Sequence, residues 1–333
     1  MHELRKDPLL GRWVAVLKNS RSPSDYADYD VPSEDTKEGP CVLCPGNEGK
    51  TPKEIAAVRE GGRWLSRVIP NFDPLFRIEG DLGRKGLGMY DKMNGIGADE
   101  IVIETDDHGR GPEDIGLEQV LRVVRLYRER MADLERDARM RYILVYKNSG
   151  KSAGALYLHP HSGIVATPII PKRMKDELDG AKQYYAYKER CIFCDILREE
   201  MRLGDRVIYE TKDFFAFSPF ASRSPFEFWI VPKRHSCAFQ EITPSETEDL
   251  SLMFMTMLKK MRTVLRTPPF NYFIHSAPNR IPRRDHWHTL GEDFHWHVEV
   301  IPRLLLTSGF EWGSGFYVLT TSPEDAAKYL REA

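Results

Sequence analysis

The 333-residue sequence has no excess of charge of either sign: 48 Lys and Arg stand against 50 Asp and Glu, a formal net charge of −2. A chain so close to neutral is not built to live on nucleic-acid backbones, and no nucleic-acid partner is expected. Long apolar runs are missing as well; nothing approaches the ~18 residues needed to span a bilayer. The N-terminus, M-H-E-L-R-K-D-P, carries charges where a signal peptide needs an apolar stretch, so a cytoplasmic protein with no membrane partner is expected. Cysteine is scarce, with five in the whole chain, which argues against a disulfide framework in a protein of this size. Apolar residues are not scarce: at 41% hydrophobic the chain can build real cores, and its length suggests about two domains.

Four of the five cysteines form two C-x-x-C pairs, Cys41/Cys44 and Cys191/Cys194, and Cys237 stands alone. Redox chemistry or plain burial are competing readings. Spaced histidines flanking both pairs fit metal sites better.

The chain repeats itself. The first half runs from C-x-x-C through D-E-I-V-I-E-T-D-D-H to His108, a helical stretch, R-Y-I-L-V-Y-K-N, and H-P-H at 159–161. The second half runs from C-x-x-C through P-F-E-F-W-I-V-P-K-R-H to His235, another helical stretch, F-N-Y-F-I-H, and H-W-H at 295–297. Glu100 to His108 spans the same eight residues as Glu227 to His235. Ordered matches of this kind indicate an internal duplication.

Leu117, Val120, Leu121, Val124, Tyr127, Met131 and Leu134 recur at helical spacing, as do Leu250, Phe254, Met257, Leu258, Met261 and Leu265. These stripes read as core faces. Thr243-Pro244-Ser245-Glu246 is a capping box that opens the second helix. Short β-branched and aromatic runs predict strands at 101–104, 142–146, 228–231, 272–274 and 298–301. The predicted class is α+β, with antiparallel sheets and one long helix per half, divided into domains 1–172 and 173–333. The charged stretch 173–188 joins the halves. The Gly-rich stretch 79–97 reads as a surface loop, since it lacks the strand-to-helix setting of a phosphate-binding fingerprint.

Each half supplies two thiols and two imidazoles: Cys41, Cys44, His108 and His159 in one, Cys191, Cys194, His235 and His295 in the other. Such sets suit tetrahedral zinc in closed structural sites, about two ions per chain. His286 and His288 are rival ligands for the second. With His159 assigned to metal, His161 remains to be explained. In an extended H-x-H, alternate side chains share a face, so His161 can stand beside the metal and face substrate. A neutral imidazole attacks phosphorus readily, and the N–P bond formed stays reactive. The preceding N-S-G-K-S-A-G-A, with Asn148, Gly150 and Gly154, offers backbone N–H groups to phosphate oxygens.

Taken together, the residues resemble the galactose-1-phosphate uridylyltransferase branch of the histidine-triad superfamily, with features close to ADP-glucose phosphorylase. The likeness runs through E-L-R-K-D-P-L-L-G-R-W-V, C-V-L-C-P-G-N-E-G-K-T-P-K-E-I, V-I-P-N-F-D-P-L-F, K-N-S-G-K-S-A-G-A, H-P-H-S, F-H-W-H-V-E-V-I-P-R-L and G-F-E-W-G-S-G-F-Y. It implies two duplicated histidine-triad-like domains, often dimerised, and His161 as a covalent nucleophile. Asn71 and Asn148 match positions that touch the nucleotide, and the Cys/His sets match zinc ligands. The implied substrates are a nucleotide sugar and a sugar phosphate, the reaction transfer of a nucleoside monophosphate between them. Alternatives are a phosphorylase or hydrolase with phosphate or water as acceptor, and a decayed nucleotide-binding relative.

Departures accompany the likeness. The family pattern H-P-H-x-Q has Gly163 in place of its Gln, and Leu156 replaces a Ser three residues before the first His of H-P-H. The R-x-K-R-P signature is replaced by Asn19-Ser20-Arg21-Ser22-Pro23. Arg21, Lys151 and Ser162 are the candidate substitute donors, with Lys18 near Arg21. His297 holds the place of His161 in the repeat, but Glu299 follows it, and a carboxylate there would repel phosphate, so no transfer from His297 is expected.

Overall fold

The computed structural model describes residues 2–29, 40–111, 113–281 and 287–333. The chain opens with β1 (Glu3–Lys6) and β2 (Trp13–Val16), continues through β3 (Ala56–Glu60), β4 (Arg63–Pro70), β5 (Lys85–Leu87), β6 (Tyr90–Lys92) and β7 (Ala98–Ile103), and enters helix α1 (Leu117–Glu135). Strands β8 (Tyr142–Ser149) and β9 (His161–Thr167) end the first half. Helices α2 (Lys172–Lys188) and α3 (Ile192–Leu203) lead to β10 (Val207–Glu210), β11 (Phe214–Phe217), β12 (Phe228–Pro232) and α4 (Pro244–Leu265). The series closes with β13 (Phe270–His275), α5 (Leu290–Asp293), β14 (His297–Pro302), α6 (Gly309–Ser314), β15 (Tyr317–Leu319) and α7 (Pro323–Glu332).

The predicted strands and both long helices are present, and the Thr243–Glu246 capping box forms at the start of α4. Two further stretches take regular structure. The charged joint 173–188 is a helix whose Met174, Leu178 and Ala181 are buried. Within 79–97, β5 and β6 pair as an exposed hairpin.

The antiparallel sheets of the two halves join edge to edge. One ten-stranded sheet runs β10-β11-β12-β14-β13-β8-β9-β7-β4-β3. Read outward from the β8–β13 seam, each half repeats the same strand order, so the duplication is a pseudo-twofold. Tyr146 pairs with Phe273 at the seam, and Asn148 with Asn271.

One face of this sheet is sealed by α1 and α4. Val120, Val124, Tyr127 and Met131 meet Leu250, Met257 and Met261 in a core shared with Val102, Val145, Ile164 and Val298. Each such side chain contributes roughly 1.5–3 kcal/mol on burial, so the stripes read from sequence hold the helices down. The opposite face is covered unevenly. In the second half α2 and α3 lie over it, burying Phe193, Leu197, Phe215, Phe217 and Trp229. In the first half Leu43, beside Cys41 and Val42, packs on Trp64, Ile69 and Ile101 near the sheet edge. The centre of that half is left for chemistry.

The two ends of the chain meet in a second, smaller sheet. β15 runs parallel to β2, completing the three-stranded sheet β1-β2-β15. Arg5 pairs with Glu324 at 2.9 Å, so the first strands pack with the second half of the chain.

Candidate active site and metal centres

His161 is the first residue of β9, an interior strand with β7 and β8 on either side. Strand alternation decides what accompanies it. Ile164 and Ala166 go under α1, and Ser162 with them: its hydroxyl lies 2.6 Å from the Tyr127 hydroxyl and is buried. Ser162 is therefore no substitute donor. His161 and Gly163 take the other face, with Tyr146 and Asn148 of β8.

His161 is half-buried. Its Nδ1–H donates to the His159 carbonyl at 2.8 Å, which fixes the tautomer and leaves the Nε2 lone pair for attack. Burial holds its pKa below the ordinary histidine value, partly offset by that carbonyl, so the ring is neutral near pH 7. The Tyr157 ring packs edge-on at 5.6 Å, and Phe72 lies 6.0 Å behind it. Beneath the strand, Lys147 donates to the His161 carbonyl at 3.0 Å and pairs with Glu104 at 2.6 Å.

Asn71 donates to Asp99 Oδ1 at 3.1 Å, while Asp99 Oδ2 accepts from the Leu75 N–H at 2.9 Å. Asp99 thus holds the 71–75 loop that carries Phe72 beside Tyr157. Asn148 anchors the 150–154 loop: its amide donates to the Gly154 carbonyl at 3.3 Å, and its oxygen accepts from Asn271 at 2.8 Å. Gly150 has φ +84°, and a Cβ there would meet Pro269 at 2.8 Å. The loop is less free to bind phosphate than expected, because the N–H groups of Ala153, Gly154 and Ala155 already donate to the carbonyls of Gly150 and Lys151. Arg21 is placed through its backbone, beside the end of β15, tied to Thr320 at 2.8 Å and to the Thr321 hydroxyl at 2.9 Å.

Gly163 faces Tyr146 directly across the β8–β9 ladder. A Cβ on Gly163 would lie 2.4 Å from Tyr146 Cζ and 2.6 Å from its hydroxyl oxygen. The phenol ring therefore fills the space a larger residue would need.

Both expected metal groups form. Cys41, Cys44, His108 and His159 bring their ligand atoms within 4.8 Å of one another, and so do Cys191, Cys194, His235 and His295. Cys44 Sγ lies 3.4 Å from His108 Nδ1 and 3.5 Å from His159 Nδ1; Cys194 Sγ lies 3.4 Å from His235 Nδ1 and 3.6 Å from His295 Nδ1. Tetrahedral zinc, with Zn–S ≈ 2.3 Å and Zn–N ≈ 2.0–2.1 Å, separates sulfur from nitrogen by about 3.5 Å, so the donors fit that ion. His159 and His235 donate from Nε2 to the carbonyls of Thr105 (2.8 Å) and Gly291 (2.9 Å), which turns each Nδ1 toward the thiols. His288 is exposed and outside the second group, while His286 lies outside the described residues.

The repeat partner of His161 is closed. His297 also donates Nδ1–H to its H-x-H carbonyl, that of His295 at 3.1 Å, but it is fully buried against Trp229 and Phe193, each 4.9 Å away. Burial, with His275 adding to it, depresses its pKa to about 4. Glu299 is held by Arg223 at 2.6 Å and Arg173 at 2.7 Å. Glu177, His275 and His297 form a third buried group with ligand atoms within 4.8 Å. Sequence reasoning missed Glu177 and His275, as it missed Asp99, Tyr157, Phe72 and Tyr146.

The chain is a duplicated α+β protein with one half-buried and one sealed H-x-H histidine beside paired Cys/His clusters. The model described as galactose-1-phosphate uridyl transferase, N-terminal domain, matches residues 1–171, and that of the C-terminal domain matches 177–312. The chain is 32% identical to ADP-glucose phosphorylase of Arabidopsis thaliana, across 99% of this chain and 92% of that protein. It is 29% identical to galactose-1-phosphate uridylyltransferase of Thermotoga maritima, across 100% and 98%. The crystal structure of the Arabidopsis enzyme with bound ADP-glucose superposes with a TM-score of 0.83 at 32% identity, covering 100% of this chain and 99% of that one. A uridylyltransferase structure superposes at 0.77 with 26% identity, covering 100% and 98%. The chain belongs to the galactose-1-phosphate uridylyltransferase family.

Proposed function

We propose that the protein transfers a nucleoside monophosphate between a nucleoside-diphosphate sugar and a hexose 1-phosphate, with His161 as the nucleophile. The observation that carries this reading is the state of His161: neutral, half-buried, its Nδ1–H engaged and its Nε2 without a partner among the described residues. Nε2 attacks the α-phosphorus, an N–P bond forms, and the bond to the bridging oxygen breaks as sugar 1-phosphate leaves with the electron pair. The cationic imidazole so formed is eased by the His159 carbonyl on Nδ1–H. A phosphate oxygen of the acceptor then attacks phosphorus, the N–P bond breaks, and neutral His161 returns.

Asn71 and the loop held by Asn148, with Gly150 at its start, border the nucleotide in this reading. Zinc in the two Cys/His groups is structural; through His159 it stiffens the backbone that carries His161. Among the described residues no helix is long and apolar enough to cross a membrane, in keeping with a cytoplasmic enzyme. A homodimer belongs to the proposal, supported by the exposure of Leu306, Phe310 and Trp312 near α6.

A second reading, a phosphorylase in which inorganic phosphate accepts the nucleotidyl group, is supported by the likeness to ADP-glucose phosphorylase. A screen of UDP- and ADP-sugars against hexose 1-phosphates and phosphate tests both. Exchange with hexose 1-phosphate supports the first, release of nucleoside diphosphate with phosphate the second, and no turnover with any pair contradicts both.

A further inference from the structure

Several positions around His161 offer no side-chain donor to that face. Ser162 points through the sheet to Tyr127, Leu156 carries no donor in its side chain, Gly163 has no side chain, and the 150–154 loop uses much of its own N–H supply. Negative charge that builds on phosphoryl oxygens during attack needs hydrogen bonds aimed at it from fixed positions. Tyr146 is placed to give one.

Tyr146 belongs to an interior strand, and its ring lies over Gly163, two residues along β9 from His161 on the same face. Two residues of strand span about 6.6–6.8 Å, a distance that a phosphoryl group held on Nε2 can bridge with one oxygen toward the phenol. Among the described residues the Tyr146 hydroxyl has no hydrogen-bond partner, and the residue is only half-buried, so the O–H is available from the open side. Burial, with the Asp99 carboxylate adding to it, pushes the phenol pKa up, which keeps the proton on the oxygen at neutral pH. The repeat supplies a contrast. Phe273 of β13 faces Glu299 as Tyr146 faces Gly163, so the sealed half has a ring without a hydroxyl and a carboxylate in the way.

We propose that the Tyr146 hydroxyl donates to a non-bridging phosphoryl oxygen of the nucleotidyl group being transferred to and from His161. Gly163 is the residue that makes room for it. The ring over Gly163 places a side-chain donor from β8 on the face of β9 that carries His161, where β9 itself offers none. This inference rests on the nucleotidyl-histidine reading above and names a further catalytic residue for it.

The test uses the full-length, metal-replete chain with UDP-glucose and ADP-glucose labelled in the α-phosphate, followed by rapid quench and steady-state assay. Tyr146→Phe keeps the ring over Gly163 and removes only the hydroxyl. Expected is a fall of about a hundredfold or more in adduct formation and kcat, with KM, metal content and melting temperature little changed. Tyr146→Ala with Gly163→Gln is the second arm: with the ring gone, the amide has space, and the pair should exceed Tyr146→Ala alone in adduct formation. Wild-type adduct with an equally fast Tyr146→Phe adduct overturns the role of Tyr146 and leaves the nucleotidyl-histidine reading standing. No adduct in the wild type with either sugar overturns both.

Discussion

Lys147 reaches through the strand pair that carries His161, donating to the His161 carbonyl at 3.0 Å while its ammonium sits 2.6 Å from Glu104. Both members of the ion pair are only 2% exposed, so neither charge has water to fall back on. Tyr127 joins from α1, donating to Glu104 at 3.1 Å. Strand β9 is thus tied to the helical layer by a polar network as well as by apolar packing.

Lys147→Met should therefore destabilise the fold by about 3–5 kcal/mol, because Glu104 is left buried and unpaired. Lys147→Met with Glu104→Gln should recover much of that loss. Urea denaturation of the two variants decides it. A single variant as stable as the wild type would show that the pair carries no such weight.

Cys41→Ser and Cys191→Ser should each remove about one of two bound zinc ions and lower the melting temperature, since such sites contribute folding free energy. Transfer should suffer more from Cys41→Ser, whose group includes His159, two residues from the nucleophile. Metal analysis of freshly purified protein checks the stoichiometry. A folded wild-type chain with no metal would remove the assignment.

Gly163→Gln alone should lower transfer, because its Cβ would stand 2.4 Å from the Tyr146 ring on an interior strand. A steady-state assay on the single variant is enough. Increased transfer would mean that the ring moves aside freely and that the Gly163–Tyr146 packing is incidental.

Glu246 accepts from the Thr243 N–H in the α4 capping box and pairs with Arg234 at 2.7 Å, and these contacts lower its pKa to about 2. A carboxyl with a depressed folded pKa stabilises the fold above its unfolded value of about 4.3 and loses that contribution as pH falls toward 2. Glu246→Gln should cost about 1 kcal/mol at pH 7, and the gap to wild type should close as the pH drops through that window. A gap constant with pH would show that the charge contributes nothing.

Much of this was legible in the residues because the repeat doubled each signal. His108 and His235 became ligand candidates by their equal distance from Glu100 and Glu227, and the Thr243–Glu246 box named the start of α4 outright. What escaped depended on register or on distant chain. Ser162 could have been placed, since the alternation that sets His161 toward substrate sends its neighbour through the sheet to Tyr127. The Tyr146–Gly163 opposition is a pairing across a loop, invisible until β8 and β9 are aligned. The closure of His297 needed α2, whose polar surface hid the apolar edge of Met174 and Leu178 that lays it on the sheet. The pairing of β2 with β15, which brings the ends of the chain together, was likewise invisible in the residues.

The most direct measurement is the address of the nucleotidyl group. Full-length protein is mixed with a nucleotide sugar labelled in its α-phosphate, quenched at alkaline pH to preserve the N–P bond, and its peptides are mapped. The label should sit on His161, vanish in His161→Ala with zinc content and fold retained, and be absent from His297, which Trp229 and Phe193 seal from solvent. Label on His297, or full transfer by His161→Ala, would contradict the account.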